Sequence, residues 1–149
     1  MRNKGFTLVE LLVVIAIIGL LSAMAVVSLG NIREKGRDAR RLSDMDALQK
    51  SMELINTEYG SYDVTCADGS LVYECTGGEI EDFLPGVSNL KDPLSPSTGC
   101  GTATDGPCEY EITTGEDSYE VKFYLENGAG QFENSGFYEL TEKGISKSS

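Results

Sequence analysis

An apolar segment dominates the start of the chain: residues 6–29 contain a single charged side chain, Glu10. As an α-helix the segment would be about 36 Å long at about 1.5 Å per residue. That length exceeds the roughly 30 Å hydrocarbon layer of a bilayer. The pattern therefore predicts a membrane-spanning helix over residues 6–29.

Beyond this segment, apolar residues recur every three or four positions, which is the spacing of one helix face. These positions are Ile32, Ala39, Leu42, Met45, Leu48, Met52, Ile55 and Tyr59. We therefore expect one helix from near Phe6 to near Tyr59, amphipathic over residues 30–60 and ended by Gly60 with Ser61. Its apolar stripe requires a surface to pack against.

A period of two replaces the helical period near the C-terminus. In residues 118–127, four apolar residues alternate with polar ones, which predicts a half-buried strand. They are Tyr119, Val121, Phe123 and Leu125. Shorter strand patterns lie at residues 110–112 and 136–140, with a turn at residues 127–130. The predicted partner of the helix is a three- or four-stranded antiparallel meander.

The predicted fold class is thus α+β, with a long N-terminal helix packed on a small antiparallel sheet. The globular head covers residues 61–149. Within it, residues 61–108 are rich in Gly and Pro turn signals and predict a connecting loop, whereas residues 109–141 hold the strands. We expect the tail, residues 142–149, to fray.

Charge is distributed unevenly. Residues 1–41 carry seven basic and three acidic side chains, whereas residues 42–149 carry five basic and 21 acidic ones. A surface that binds nucleic acid needs clustered Lys and Arg, so the acidic head argues against such contact. The chain also has no His, the commonest general base and zinc ligand. We predict that it is not an enzyme and that its charge keeps an exported domain soluble.

All four cysteines, Cys66, Cys75, Cys100 and Cys108, follow the apolar segment. An even number outside a membrane anchor is typical of disulfides formed in an oxidising compartment. Their separations differ from the C-x-x-C spacing of zinc sites. Of the three pairings that four cysteines allow, we prefer Cys66–Cys75 with Cys100–Cys108, because short loops close at the least entropic cost.

Glu10 separates three interpretations of the apolar segment. The first is a secretory signal peptide cleaved after Ala25, and the acid inside its apolar region argues against it. An uncleaved anchor would hold an acid in lipid without a compensating gain. The free-energy cost of inserting an acid is about 2.5–3.5 kcal/mol at the bilayer centre and less near the helix end. In the third interpretation, cleavage between Gly5 and Phe6 creates an α-amine about 6 Å along the axis from Glu10. If this amine paired with Glu10 of another chain, the pair would fix the axial register of the two chains. We therefore prefer this third interpretation.

The segment KGFTLVELLVVIAIIGLLSA, residues 4–23, resembles the class III leader and N-terminal helix of type IV pilins and type II secretion pseudopilins. The similar features are a short basic leader, Gly5 before the cut, Phe6 after it, and Glu10 near the start of an unbroken apolar helix. The resemblance implies that residues 1–5 are a leader peptide. It also implies that a membrane prepilin peptidase cuts after Gly5 and N-methylates Phe6, and that Glu10 then pairs with the amine of an adjacent subunit.

Four arginines that share one helix face leave two interpretations open. They are Arg33, Arg37, Arg40 and Arg41, just beyond the apolar segment. Either they reach lipid headgroups or they contact the acidic heads of neighbouring subunits.

The region around Asp92 and Pro93 is similar to a loop that binds calcium in some pseudopilins. Weak candidate ligands are Asp92, Ser95, Asp105 and Asp117. Scattered acids more often form a solvated surface, and the chain has no EF-hand loop. We therefore expect no cofactor, with calcium as the minor alternative.

Together these features predict a structural subunit of a type IV pilus-like filament or of a type II secretion pseudopilus. The resemblance implies a helical homo-oligomer, with an inner-membrane platform protein and an assembly ATPase as partners. Before assembly, the chain would cross the cytoplasmic membrane once, with the leader inside and the head outside. The alternative is a membrane-tethered or secreted monomeric binding module, whose mature chain would begin at Met1 or after Ala25.

Overall fold

The computed structural model describes residues 5–63 and 66–148, with the backbone alone at residues 25–28. It confirms the α+β fold, in which one long helix precedes a small antiparallel sheet. The helices and strands are α1 (Leu8–Tyr59), β1 (Ser70–Leu71), α2 (Glu79–Phe83), β2 (Glu111–Thr114), β3 (Tyr119–Leu125), β4 (Gly136–Thr141) and β5 (Gly144–Lys147). Two 3-10 turns lie at Val72–Glu74 and Val87–Asn89. Of the predicted leader, only Gly5 is among the described residues.

The chain divides into two units between Glu34 and Lys35. The first unit contains the apolar part of α1, whose large side chains are exposed, from 77% at Leu8 to 44% at Val14. By length and composition this stretch can cross a membrane, and none of it is buried inside the protein. The bounds of α1 agree with the helix predicted from near Phe6 to near Tyr59.

The second unit is the head, in which α1 contributes one apolar face to the core. Met45, Leu48, Met52 and Ile55 are completely or almost completely buried, as the helical period predicts. The predicted stripe is wrong at Ile32 and Tyr59, which are 64% and 57% exposed, and at Ala39, which is also exposed. Tyr59 only rests against the edge of another ring.

A glycine ends the helix as predicted. Gly60 has a φ of +73°, a left-handed conformation that favours glycine, and its N–H donates to the Asn56 carbonyl at 2.8 Å. The chain can therefore leave the helix axis at this point and turn back toward the sheet.

The sheet is an antiparallel meander whose strand order follows the chain, from β1 to β5. In the central strand β3, the four residues predicted to share a face are all buried. Val121 lies opposite Ile112 on one side and Leu140 on the other. The apolar residues of three strands therefore line up in one layer, which shares the core with α1.

The sheet has five strands rather than three or four. Instead of fraying, the tail forms β5, because a two-residue turn sets Ile145 opposite Leu140, where it packs against the core. At the other edge of the sheet, β1 lies inside the segment predicted to be a loop, and it pairs with β2. The rest of that segment includes α2, whose Ile80 is buried.

Candidate functional site

The candidate cleavage site is the bond between Gly5 and Phe6. Both residues are exposed, and both lie in non-helical backbone before α1 begins at Leu8. Exposed backbone outside regular structure is where proteolysis occurs most readily. The local geometry therefore suits cleavage at this bond.

Glu10 is tied to Thr7, the residue that precedes α1. Oε2 of Glu10 accepts the backbone N–H and the hydroxyl of Thr7, each at 2.8 Å, and the Glu10 N–H donates to Thr7 Oγ1 at 3.2 Å. This reciprocal arrangement is a capping box, which satisfies donors that the first helical turn leaves unpaired. The T-x-x-E spacing before an apolar run was the sequence signal for it.

The capping box gives Glu10 a role within a single chain that the sequence analysis missed. Thr7 supplies hydrogen bonds to the carboxylate but no positive charge. In lipid, the negative charge of Glu10 therefore still favours a cation nearby.

A second polar site lies in the head, where Arg41 is completely buried. Its Nε and Nη2 donate to the two carboxylate oxygens of Asp92, at 2.5 and 2.9 Å. Its Nη1 donates to Asp38 at 2.7 Å and to Glu126 at 2.6 Å. Arg37 donates to both oxygens of Glu126. We refer to Arg37, Asp38, Arg41, Asp92 and Glu126 as the Arg41 cluster.

The Arg41 cluster joins α1 to two loops. Asp38 accepts the consecutive backbone N–H groups of residues 126, 127 and 128 at 2.8 to 2.9 Å. The last of these belongs to Gly128, whose φ is +79° and where a Cβ would lie 2.0 Å from the Phe132 carbonyl oxygen. Asp92 is held at the other loop, and its carboxylate also accepts the N–H of Leu94. The cluster therefore fixes the end of the head at which α1 enters.

The electrostatics of the cluster follow from its contacts. Burial alone would lower the pKa of Arg41, but Asp92, Glu126 and Asp38 more than offset this and raise it. The hydrogen bond from Arg37 is the largest influence on Glu126, and it lowers the pKa of that carboxyl. Both shifts favour the charged forms of Arg41 and Glu126, as a buried ion pair requires.

The arginine face was expected to reach lipid headgroups or neighbouring heads, and neither interpretation holds for two of its four members. Arg41 and Arg37 bind carboxylates of their own head, not lipid or a neighbour. Arg33 and Arg40 are exposed. Because Arg40 and Arg41 are adjacent on a helix, their side chains point about 100° apart, so one enters the core while the other does not.

Two further carboxylates lie beside the cluster, of which Glu109 is buried and Asp44 is half-buried. Burial raises the pKa of Glu109, whose Oε2 accepts the Asp92 N–H at 3.1 Å. Burial also raises the pKa of Asp44, which accepts the Tyr110 hydroxyl at 3.0 Å. These two acids are less stable in their charged form than a solvated acid is.

The cysteines form two disulfides, Cys66–Cys75 and Cys100–Cys108, with Cα–Cα distances of 5.3 and 4.9 Å. This is the pairing that short loops favour. The first bridge spans the edge strand β1, and the second closes the loop before β2.

The weak calcium candidates have different surroundings. Asp92 is buried with both carboxylate oxygens on Arg41, whereas Ser95, Asp105 and Asp117 are exposed. In the part of the chain that the structure describes, no group of three or more acids or cysteines is arranged to hold a metal ion.

Comparisons with known proteins show what this chain is similar to. A family model described as the prokaryotic N-terminal methylation motif matches residues 1–26. The type IV major fimbrial protein FimA of Dichelobacter nodosus is 32% identical over 106 residues, which are 70% of this chain and 56% of that protein. The chain carries this methylation motif and is similar to type IV pilins and pseudopilins.

Both branches of the pilin and pseudopilin family are among the relatives. The type II secretion system core protein G of Aeromonas hydrophila is 34% identical over 64 residues, 43% of this chain and 45% of that protein. The type IV major pilin protein PilA of Myxococcus xanthus is 33% identical over 61 residues, 41% of this chain and 28% of that protein. The chain spans about half the length of FimA and of core protein G. No solved structure matches it.

Proposed function

We propose that this pilin-like chain is a structural subunit of a helical filament, assembled through its N-terminal helix. The observation that carries the proposal is Glu10, an acid at the start of an exposed apolar helix and the fifth residue after the Gly5–Phe6 bond. The match to the methylation motif covers this whole region.

Cleavage after Gly5 would place a cationic amine on Phe6, and N-methylation would keep it cationic. This amine would neutralise Glu10 of a neighbouring subunit. Any other axial offset between the apolar helices leaves both charges unpaired in a dry bundle, which is strongly disfavoured. The pair would therefore select one stagger and so define the helical polymer.

The proposed location follows from the same helix. Before assembly, the chain crosses the cytoplasmic membrane once, with residues 1–5 inside and the acidic head outside. A prepilin peptidase processes it, and an inner-membrane platform with an ATPase drives it into the filament. The subunit itself has no proposed catalytic activity.

Between the two kinds of filament, a type IV pilus is the first candidate and a secretion pseudopilus the second. The alignment with the fimbrial protein covers 106 residues and therefore extends well into the head, whereas that with core protein G covers 64.

Mass spectrometry of the protein from its own membranes tests the processing. We expect a mature chain that begins with N-methylated Phe6. A mature chain that begins at Met1 or after Ala25 would instead support the alternative, a monomeric tethered or secreted module.

Two substitutions at Glu10 separate its charge from its capping role. Glu10→Gln retains an oxygen that accepts the Thr7 N–H but removes the charge, whereas Glu10→Ala removes both. We expect both variants to be cleaved and inserted normally and to form few filaments in electron micrographs of sheared fractions. If Glu10→Gln assembles as well as the parent, the electrostatic register is wrong.

A further inference from the structure

The pair Asn127–Gly128 follows β3, in one of the two loops that the Arg41 cluster binds. In an Asn–Gly sequence, the backbone nitrogen of glycine can attack the side-chain carbon of asparagine. Glycine has no side chain to obstruct this approach, which makes the pair the most reactive asparagine sequence in an unfolded chain. The attack requires a glycine N–H that can lose its proton and a loop that can bend.

The reaction exchanges an amide for an acid without any oxidant. The Gly128 nitrogen forms a bond to Cγ of Asn127, the bond from Cγ to the side-chain nitrogen breaks, and ammonia leaves with the proton of the glycine N–H. A five-membered imide remains. Water then opens this imide at either of its two carbonyl carbons, which yields aspartate or isoaspartate. In isoaspartate the main chain runs through the former side chain and is one atom longer.

In the folded head, Asp38 holds the nitrogen that would attack. The buried Gly128 N–H donates to Asp38 Oδ2 at 2.9 Å, and the same oxygen accepts the Asn127 N–H at 2.8 Å. A hydrogen bond to a carboxylate opposes loss of the N–H proton, because deprotonation would place two negative charges next to each other. The nearby Phe132 carbonyl leaves Gly128 little room to move. Both conditions for the attack are therefore absent while the cluster is closed.

We propose that Asn127 is a deamidation site that Asp38 keeps unreactive. Deamidation proceeds in heads where Asp38 has released the loop. Isoaspartate lengthens the main chain between the N–H groups of residues 127 and 128, so Asp38 no longer accepts three consecutive N–H groups in the same geometry. A head that stays open is thereby converted into one that does not close again. The site needs only the folded head and is independent of the proposed filament.

Peptide mapping of the full-length chain in detergent measures the protection. Asn127 and the exposed Asn134 lie in one tryptic peptide, residues 123–143, so Asn134 is an internal reference. Because a minor open state is typically populated to about 0.1–10%, Asn127 should deamidate at least about tenfold more slowly in the native head than in denaturant. If the rate of Asn127 relative to Asn134 is the same in both, the proposed protection does not exist.

Two matched variants separate Asp38 from the general stability of the cluster. Asp38→Asn and Asp92→Asn each remove one buried carboxylate from Arg41, but the Gly128 N–H donates to Asp38. A neutral amide oxygen binds an N–H more weakly than a carboxylate does. Asp38→Asn should therefore accelerate deamidation of Asn127 by about tenfold more than Asp92→Asn does. Equal acceleration by the two variants would assign the protection to overall stability and overturn the role of Asp38.

Hydrogen exchange in the parent provides a test that needs no variant, in case Asp38→Asn does not fold. Exchange of the Gly128 N–H and deamidation of Asn127 both require release from Asp38. The native head should therefore slow the two reactions by the same factor relative to the unfolded chain. Fast exchange at Gly128 together with slow deamidation would show that the hydrogen bond is not what protects Asn127.

Aged protein tests whether the product is permanent. The chain with isoaspartate at position 127 can be separated by ion-exchange chromatography, because deamidation adds a negative charge. It should melt at a lower temperature than the parent, with fast hydrogen exchange at Gly128 and at Glu126, which Asp38 also binds. An isoaspartate form that melts with the parent and protects both N–H groups would overturn the conversion to an open head.

Discussion

Replacing Arg41 by methionine should destabilise the head strongly. Methionine has nearly the length of arginine and is apolar, so the change mainly removes charge and hydrogen bonds. It leaves Asp38 and Asp92, both without exposed side-chain surface, and Glu126, with 13%, close together with no shared cation. Removing one partner from a buried ion pair costs about 3–5 kcal/mol.

That loss is a large part of the 5–15 kcal/mol that stabilises a typical domain. For a head of this size, it corresponds to a fall in melting temperature of about 12–20 °C. Thermal denaturation of the full chain in detergent, followed by the near-ultraviolet circular dichroism of its seven tyrosines, measures the fall.

The adjacent Arg40→Met is the matched control, because Arg40 is exposed and its loss should change the free energy of unfolding by less than about 0.5 kcal/mol. If Arg41→Met melts within a few degrees of the parent at pH 7, the cluster does not hold the head on α1 in the way its geometry indicates.

Four other changes probe the head by the same denaturation assay. Glu109→Gln should stabilise the head at pH 7. Burial raises the pKa of Glu109 above its ordinary value of 4.5, so the parent gains stability as the pH falls toward 4.5, and the variant should lack this gain. Glu126→Gln should destabilise the head at pH 7. Arg37 lowers the pKa of Glu126, so the parent loses this stability only as the pH falls below 4.5. If the unfolding free energies of the two variants change identically with pH, the opposite directions of the two pKa shifts are wrong. Gly128→Ala should cost about 3 kcal/mol or more, against about 1–2 kcal/mol for Gly130→Ala, where a Cβ meets open space; equal costs would refute the close approach. Reduction of the disulfides should cost about 2–3 kcal/mol each, and thiol labelling of the native protein should find no reactive cysteine, whereas four labelled thiols would refute both bridges.

The sequence was informative wherever a single period controls a long segment. The spacing of Met45, Leu48, Met52 and Ile55 predicted the buried face of α1, and the alternation in β3 predicted its inner face. In both cases, burial of one face decides the side-chain pattern, so the pattern can be read without knowing the partner surface.

The Arg41 cluster had no comparable signal. Asp38 lies three residues before Arg41 on α1. The other two carboxylates are 51 and 85 residues away, in two loops, and residues 42–149 contain 21 acids from which to choose. Only the packing of α1 on the sheet selects Asp92 and Glu126. The strand β5 was missed for a different reason: its Gly, Ser and Lys have low strand propensity, and pairing with β4 outweighs that preference.

The order of the strands is also their order of synthesis. Each strand pairs with the one that leaves the ribosome just before it, and none must be inserted between two others that are already paired. From β2 to β5 such pairing forms rapidly, because only short connections must be closed into loops. If the head is exported as proposed, it can therefore build β2 to β5 while the chain is still being translocated. The last four-residue strand then covers an edge that would otherwise pair with another nascent chain.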